Sequence, residues 1–206
     1  MRCTAEIETA LHGQGYRRVA GLDEAGRGCL FGPVCAAAVV FAPGRRVKGL
    51  ADSKTLPPET RERLAGEIRA GAEAWAVGWA SADEIDRVNI REASRLAMKR
   101  AAEALNPPPD YLLADALAID LPLPQQALIK GDARVEAIAA ASILAKTARD
   151  ALMQELDSQY PGYGLARHKG YATAEHLEAL ARLGPSPLHR RSFAPVRESL
   201  QGRLAS

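Results

Sequence analysis

The sequence predicts an α/β fold, and three observations carry that expectation. Its 206 residues suit one domain, or one domain with an appendage. Hydrophobic residues make up 47% and aromatics only 5%. Alanine supplies much of the apolar content, which suits helices packed closely on a sheet better than an aromatic-rich sandwich. Residues 19–22 and 34–41 are near-continuous apolar runs, the pattern of strands buried on both faces.

The elements follow in order. A helix-like arm precedes a first strand at residues 18–24 and a second at 32–41, after which Ala42, Pro43 and Gly44 turn the chain. A loop through Asp52, Ser53 and Lys54 leads to Pro57 and Pro58, which start a helix over 58–70. Residues 73–80 read as a third strand. Ser81 with Glu84, and Asn89 with Glu92, have capping-box spacing and predict a short helix followed by a longer one that Asn106 and three prolines end. Residues 111–115, YLLAD, form a buried strand ending in a carboxylate, and 126–130 a further short strand closed by Gly131 and Asp132. The longest helical run, 135–159, has small or apolar residues on more than one side and should lie deep against the sheet. A Pro- and Gly-rich link over 160–171, a helix begun by Thr173 and running to about 183, a loop and a last helix complete the chain. The expected division is a core over 1–158 and a helical C-terminal extension over 159–206 that contacts substrate, the two forming one compact unit.

The first strand runs directly into Asp23, Glu24, Ala25, Gly26, Arg27 and Gly28. Like charges ~4 Å apart repel by ~1 kcal/mol in water and ~4 kcal/mol in a partly shielded site, so adjacent carboxylates at the end of a buried strand call for a cation. A surface hairpin whose turn carries these residues is the plainer alternative. Asp115 and Asp132 also sit at the ends of elements, although an exposed strand end and a helix N-cap would account for them as well. Four oxygen donors without a Cys or His cluster favour a hard divalent ion over zinc. Two such ions can drive in-line phosphodiester hydrolysis. Strand alternation turns Asp23 and Glu24 to opposite faces, so both reach one site only if the Gly-rich turn twists the strand end. Arg27, flanked by glycines, could offer its guanidinium to a phosphate.

Net charge is only +2, but six basic residues between Tyr160 and Arg197, Arg190 among them, stand against Glu175 and Glu178. That suits a phosphate backbone, or simply a solvated face. Cys3, Cys29 and Cys35 lack CxxC spacing, and no segment reads as a signal peptide or a membrane span, so a soluble cytoplasmic protein is expected. Monomeric behaviour is expected because no exposed apolar stripe is evident.

DEAGRG after an apolar strand, DSK at 52–54, KGD at 130–132, IAAASILAKTARD, YPGYGLARHKGYAT and HRRSFAPV together resemble ribonuclease HII, the bacterial type 2 ribonuclease H, with the motifs in family order from about Val19 to Val196. The resemblance implies a ribonuclease H-like fold: a central mixed five-stranded sheet, three of its strands antiparallel, flanked by helices. It implies cleavage of RNA paired with DNA, and 5′ of single ribonucleotides in duplex DNA, leaving 3′-hydroxyl and 5′-phosphate ends. Mg²⁺ or Mn²⁺ would be held, two ions with substrate bound, by Asp23, Glu24, Asp115 and Asp132. Gly26, Arg27 and Gly28 match the loop that senses the ribose 2′-hydroxyl. Tyr171 matches a tyrosine stacking on the neighbouring sugar, with ordinary packing as the alternative, and Ser53 and Lys54 resemble phosphate contacts. Ala116 and Leu117 depart from the pair, often Gly-Asn, that follows the third acid, and Cys29 stands where proline is common. His168 and His189 read as neutral structural histidines. A DNA-only nuclease of the same fold and a catalytically silent binding subunit are the competing readings.

Overall fold

In the computed structural model, which describes residues 3–204, a five-stranded sheet is ordered β3-β2-β1-β4-β5. Its strands are β1 (Val19–Ala25), β2 (Val34–Val40), β3 (Ala74–Ala80), β4 (Tyr111–Asp115) and β5 (Gln125–Leu128). The first three are mutually antiparallel, whereas β4 and β5 run parallel to β1. Helix α1 (Glu6–Gly13) comes before β1, and α2 (Pro58–Gly71) and α3 (Ala82–Glu103) flank β3 in sequence. Helix α4 (Glu136–Gln159) leads to α5 (Leu165–His168), α6 (Ala174–Leu183) and α7 (Ala194–Leu204).

All seven residues of β2 are buried because both its faces are covered. Val34, Ala36, Ala38 and Val40 pack with Ala93, Ala97 and Ala101 of α3. Cys35, Ala37 and Val39 pack with Leu64 and Ile68 of α2 and Ala140, Ala141 and Leu144 of α4. This two-sided burial is the physical reason the strand reads as an unbroken apolar run. Alanine lets the helices lie close, and two glycines bring them closer. A Cβ on Gly78 would fall 2.2 Å from the Ala97 carbonyl oxygen in α3, and one on Gly21 only 2.1 Å from the Ala137 carbonyl carbon in α4.

Helix α3 is continuous except at Asn89, which has φ 70° and ψ 164°. The Asn89 side chain accepts from the amides of Arg91 and Glu92 and caps the second half, while Ser81 and Glu84 form a reciprocal capping box at the start. The two expected helices therefore meet end to end.

The fifth strand ends at Leu128 rather than at 130, because Lys130 adopts a left-handed φ of 56° and Gly131–Ala133 forms a single 3-10 turn. The residue capping α4 is Val135, so the N-cap role does not fall to Asp132. The link over 160–171 contains the short helix α5, too brief to show a helical period. Helices α5 and α6 close over the segment between β1 and β2 through Phe31, Met153, Tyr163, Leu165 and Ala179. No described helix is long and apolar enough to cross a membrane.

Candidate active site

Asp115 ends β4, and Asp23 lies just past the last paired residue of the neighbouring parallel strand β1, two residues before that strand's end. The register pairs Leu22 with Ala114, both on the α3 face, so the next residues, Asp23 and Asp115, share the α4 face. Along that face α4 runs beside β1 almost residue for residue. Gly21 touches Ala137, Asp23 meets the Ser142 hydroxyl, and Gly26 lies on Arg149. Five strand residues span ~17 Å and twelve helix residues ~18 Å, so the two rulers match.

Glu24 belongs by alternation to the opposite face, yet it lines the same cleft as Ser53, Lys54 and Ser142. Its amide donates to Asp23 Oδ1 at 2.7 Å and its Oε1 accepts from Arg27 Nη1 at 3.0 Å. The Glu24 Oε2 atom is buried without a partner. Asp115 Oδ1 accepts from the Gly131 amide at 2.8 Å, which ties the end of β4 to the turn carrying Asp132.

Electrostatics centre the cluster on Asp115. Burial pushes Asp23 well above the usual carboxylate range, reinforced by the charges of Glu24 and Asp115 and opposed by the Ser142 hydroxyl. Burial likewise raises Glu24, against the pull of Arg27, with Asp115 adding to the rise. Asp132 is raised by burial and then by Asp115 and Asp52. Lys54 is partly desolvated, which lowers its pKa, but Asp52, Asp23 and Asp132 outweigh this and leave it raised. Lys54 and Arg27 thus face five carboxylates, Asp23, Glu24, Asp52, Asp115 and Asp132, and the cluster is short of cationic charge.

Among the described residues no three His, Cys, Asp or Glu side chains are gathered tightly enough to enclose an ion by themselves. Magnesium-type sites are usually of this open kind, using one or two carboxylates together with water and substrate oxygens. The all-oxygen donor set, the unpartnered Glu24 Oε2 and the raised acids fit such a cation.

The cleft has a volume of about 250 Å³ and is lined by Glu24, Gly26, Arg27, Gly28, Ser53, Lys54 and Tyr171, together with Ser142 and Lys146 of α4. Gly26 has φ +93°, and a Cβ there would fall 1.9 Å from Arg149 Nε. Only glycine fits, on both counts. Gly28 lies beside Tyr171, with 4.0 Å from its would-be Cβ to Tyr171 Cε1, the outer edge of van der Waals contact. Tyr171 is 38% exposed, which is more than a packing role requires. Ser53 is buried with its Oγ 2.9 Å from Ser142 Oγ. Lys146 pairs with Asp150 at 2.6 Å, and its Nζ lies 5.7 Å from the centre of the Tyr171 ring.

Lys146 and Ser142 were not singled out by sequence, although Ser142, Lys146 and Arg149 lie at helical spacing on one face of α4. Arg190, counted among the basic residues of the C-terminal segment, is wholly buried and so is unavailable to solvent phosphate.

Three histidines support Tyr171 from beneath. His168 Nδ1 accepts from the Gly170 amide, so its Nε2 donates to the Tyr163 carbonyl at 2.7 Å. His176 Nδ1 donates to the Tyr171 carbonyl at 2.9 Å. His189 Nδ1 accepts from the Ser186 amide, leaving its Nε2 to donate to His176 Nε2 at 3.2 Å. All three rings are satisfied in their neutral forms. Burial lowers His176, and burial with the neighbouring His176 takes His189 down to about 3.

Comparison with known proteins agrees with this geometry. The family model described as Ribonuclease HII matches residues 20–196. A ribonuclease HII from Solibacter usitatus is 55% identical over 196 residues, covering 95% of this chain and 86% of the relative. One from Geobacillus kaustophilus is 58% identical over 194 residues, covering 94% of this chain and 75% of the relative. Among solved structures, ribonuclease H2 from Pyrococcus horikoshii superposes with a TM-score of 0.78 at 25% identity, over 92% of this chain and all of the other. The RNase HII of a PCNA:RNase HII complex from Archaeoglobus fulgidus gives a TM-score of 0.69 at 27% identity, over 85% of this chain and 95% of that one. Sheet order, the acidic strand ends and the sequence matches converge on one assignment: this chain belongs to the ribonuclease HII family, metal-dependent endoribonucleases that act on RNA paired with DNA.

Proposed function

We propose that this protein cuts duplex DNA on the 5′ side of an embedded ribonucleotide, as well as the RNA strand of longer hybrids, leaving a 3′-hydroxyl and a 5′-phosphate. The observation that carries this reading is the placement of Asp23, Glu24, Asp115 and Asp132 around one strand end, directly beside the Gly26–Gly28 turn and Tyr171. The role is ribonucleotide removal from DNA by a monomer, with the segment 159–206 contributing to substrate contact.

Asp23, Glu24, Asp115 and Asp132 would hold Mg²⁺ or Mn²⁺, two ions with substrate bound. When bound, such a pair supplies an activated water and charge neutralisation at the leaving oxygen of an in-line displacement. The remaining residues position and discriminate. Ser142 orients Asp23 through its hydroxyl. Lys54, with Lys146 across the cleft, offers positive charge to the phosphate backbone. Ser53 lends its backbone and a hydroxyl shared with Ser142 to the same wall. The backbone of Gly26, Arg27 and Gly28 meets the ribose 2′-hydroxyl, and the Tyr171 ring meets the next sugar. Gly26, Arg27, Gly28 and Tyr171 line one cleft together with Glu24, which supports that placement.

The test is a labelled DNA duplex carrying one ribonucleotide, incubated with Mg²⁺, with Mn²⁺ and with chelator, beside its all-deoxy counterpart. A single 5′ cut that needs both metal and ribonucleotide is expected. Cutting of the all-deoxy duplex would indicate a DNA nuclease, and binding without cutting under every condition would indicate a silent subunit.

A further inference from the structure

The segment between β1 and β2 has little regular structure, and four of its carbonyls are held by two guanidinium groups. Arg149 of α4 donates through Nε to the Pro33 carbonyl at 3.2 Å and through Nη2 to that of Phe31 at 3.0 Å. Its Nη1 reaches the Lys169 carbonyl at 2.7 Å, two residues before Tyr171. Arg190 donates through Nε to the Gly32 carbonyl and through Nη1 to that of Arg27, both at 2.9 Å. The Arg190 amide bonds the Leu30 carbonyl at 2.8 Å.

Both side chains are withdrawn from water, Arg149 at 1% exposure and Arg190 at 0%. Among the described residues neither forms an ion pair with a carboxylate. Burying a cation without a paired carboxylate is costly, and main-chain carbonyls offset it for both side chains. For Arg190 the Phe193 ring, 5.3 Å from its Cζ, adds to this, while its Nη2 is buried without a hydrogen-bond partner. Burial draws Arg190 down to about 9, so it is still cationic at neutral pH.

The bond to the Arg27 carbonyl has a geometric consequence for the cleft. A trans peptide is planar, with its C=O and N–H pointing to opposite sides. Since Arg190 draws the Arg27 carbonyl into the protein interior, the same peptide turns the Gly28 N–H away from it. Gly28 is exposed and lines the cleft. Among the described residues nothing accepts a hydrogen bond from its amide. A free donor, fixed in direction from behind, therefore faces the space where a sugar would sit.

We infer that Arg190 is a positioning residue for ribose recognition, fixing the Gly28 amide toward the 2′-hydroxyl by holding the Arg27 carbonyl. This rests on the reading of the Gly26–Gly28 turn as the ribose sensor. Arg190 touches no substrate itself. It sets a discrimination that depends on one hydrogen bond, and a donor displaced by about 1 Å costs up to about a hundredfold in rate.

The experiment compares the wild-type protein with Arg190→Met, which keeps bulk and removes every donor, and Arg190→Lys, which keeps one. Affinity is measured in chelator for a DNA duplex with one ribonucleotide and for the same duplex without it. The wild type is expected to favour the ribonucleotide duplex. In Arg190→Met that ratio should fall to near one while all-DNA affinity stays within about twofold, and kcat/KM for cleavage should drop roughly tenfold to a hundredfold, with Arg190→Lys between the two. A merely structural arginine would lower the active fraction and leave the ratio untouched. A wild-type ratio retained in both variants would therefore overturn the inference while sparing the reading of the turn. Equal wild-type affinity for the two duplexes would overturn that reading and this inference together. If neither variant showed a cooperative thermal transition, Arg190 would belong to the fold and the inference would fall.

Discussion

Asp115 Oδ1 accepts the Gly131 amide at 2.8 Å, and this single bond couples the end of β4 to the turn that carries Asp132. The third and fourth acids of the cluster are therefore positioned as a unit. Asp115→Asn keeps an oxygen for Gly131 while removing the charge, so its stability should stay within about 1 kcal/mol of wild type, with cleavage reduced about a hundredfold or more. Asp115→Ala should lose the same activity and a further ~1 kcal/mol of stability, because a partly buried N–H is left unpaired. Paired thermal melts and single-turnover assays would separate the two, and normal turnover in Asp115→Asn would remove that residue from the mechanism.

Asp23 gives a prediction with a definite pH dependence. Its carboxyl is raised above its unfolded value by burial and by the charges of Glu24 and Asp115. The unfolded chain thus releases this proton first, near pH 4, and the folded protein is penalised increasingly as pH climbs from there through the raised folded value. Asp23→Asn should raise metal-free stability on the order of 1 kcal/mol or more at neutral pH. That gain should shrink toward pH 4 and vanish below it, where the position is uncharged in the folded and unfolded states of both proteins. Denaturant melts across pH in chelator would show it, and a gain independent of pH would mean that repulsion is not its source.

Divalent metal should act in the opposite sense. Added Mg²⁺ or Mn²⁺ stabilises wild type by the free energy of binding to the folded state alone. Asp23→Asn should show a smaller rise in Tm at the same metal concentration. An equal rise in both would place the bound metal elsewhere.

Tyr171 can be assigned by splitting activity from folding. Since the ring is 38% exposed, Tyr171→Ala should cost no more than about 1 kcal/mol while cleavage at a single ribonucleotide falls more steeply. A large stability loss with full activity per folded molecule would return the ring to ordinary packing.

Ala116 follows Asp115 with φ 55°, in the left-handed region. An L residue there is strained by about 1–2 kcal/mol, and glycine relieves that at an entropic cost of about 0.5–1 kcal/mol. Ala116→Gly should therefore gain roughly 0.5–1 kcal/mol, a rise of a few degrees at most in Tm, with cleavage retained. A fall in Tm would show that the neighbouring backbone already accommodates the alanine.

What was legible in the sequence follows the reach of each signal. The β1 and β2 runs, the capping pairs at Ser81 and Asn89, and the carboxylates at strand ends are encoded within a few residues, and the structure places each as the local chemistry requires. Arg149 and Arg190 were not legible as buried groups, because an arginine in a helix or in a basic stretch reads as solvated. The distant carbonyls of Arg27, Phe31, Gly32, Pro33 and Lys169 help make their burial tolerable. Ser142 was hidden for a similar reason: a serine in an alanine-rich helix has no partner until Asp23 and Ser53 are folded against it. The position of Glu24 was a matter of strand twist, which residue alternation by itself does not describe.

The contact at Gly21 has a consequence for anyone redesigning this scaffold. There the main chain of α4 rests on bare β1 backbone, two residues before Asp23, with no side chain in between to swell, shrink or rotate. Core substitutions elsewhere change the thickness of the layers they separate, but this seam works as a fixed pivot. Libraries that diversify the alanine-rich interior while sparing Gly21 should keep the reactive end in alignment, whereas even the smallest added methyl at that one point would pry the helix and its cargo of Ser142, Lys146 and Arg149 off their marks.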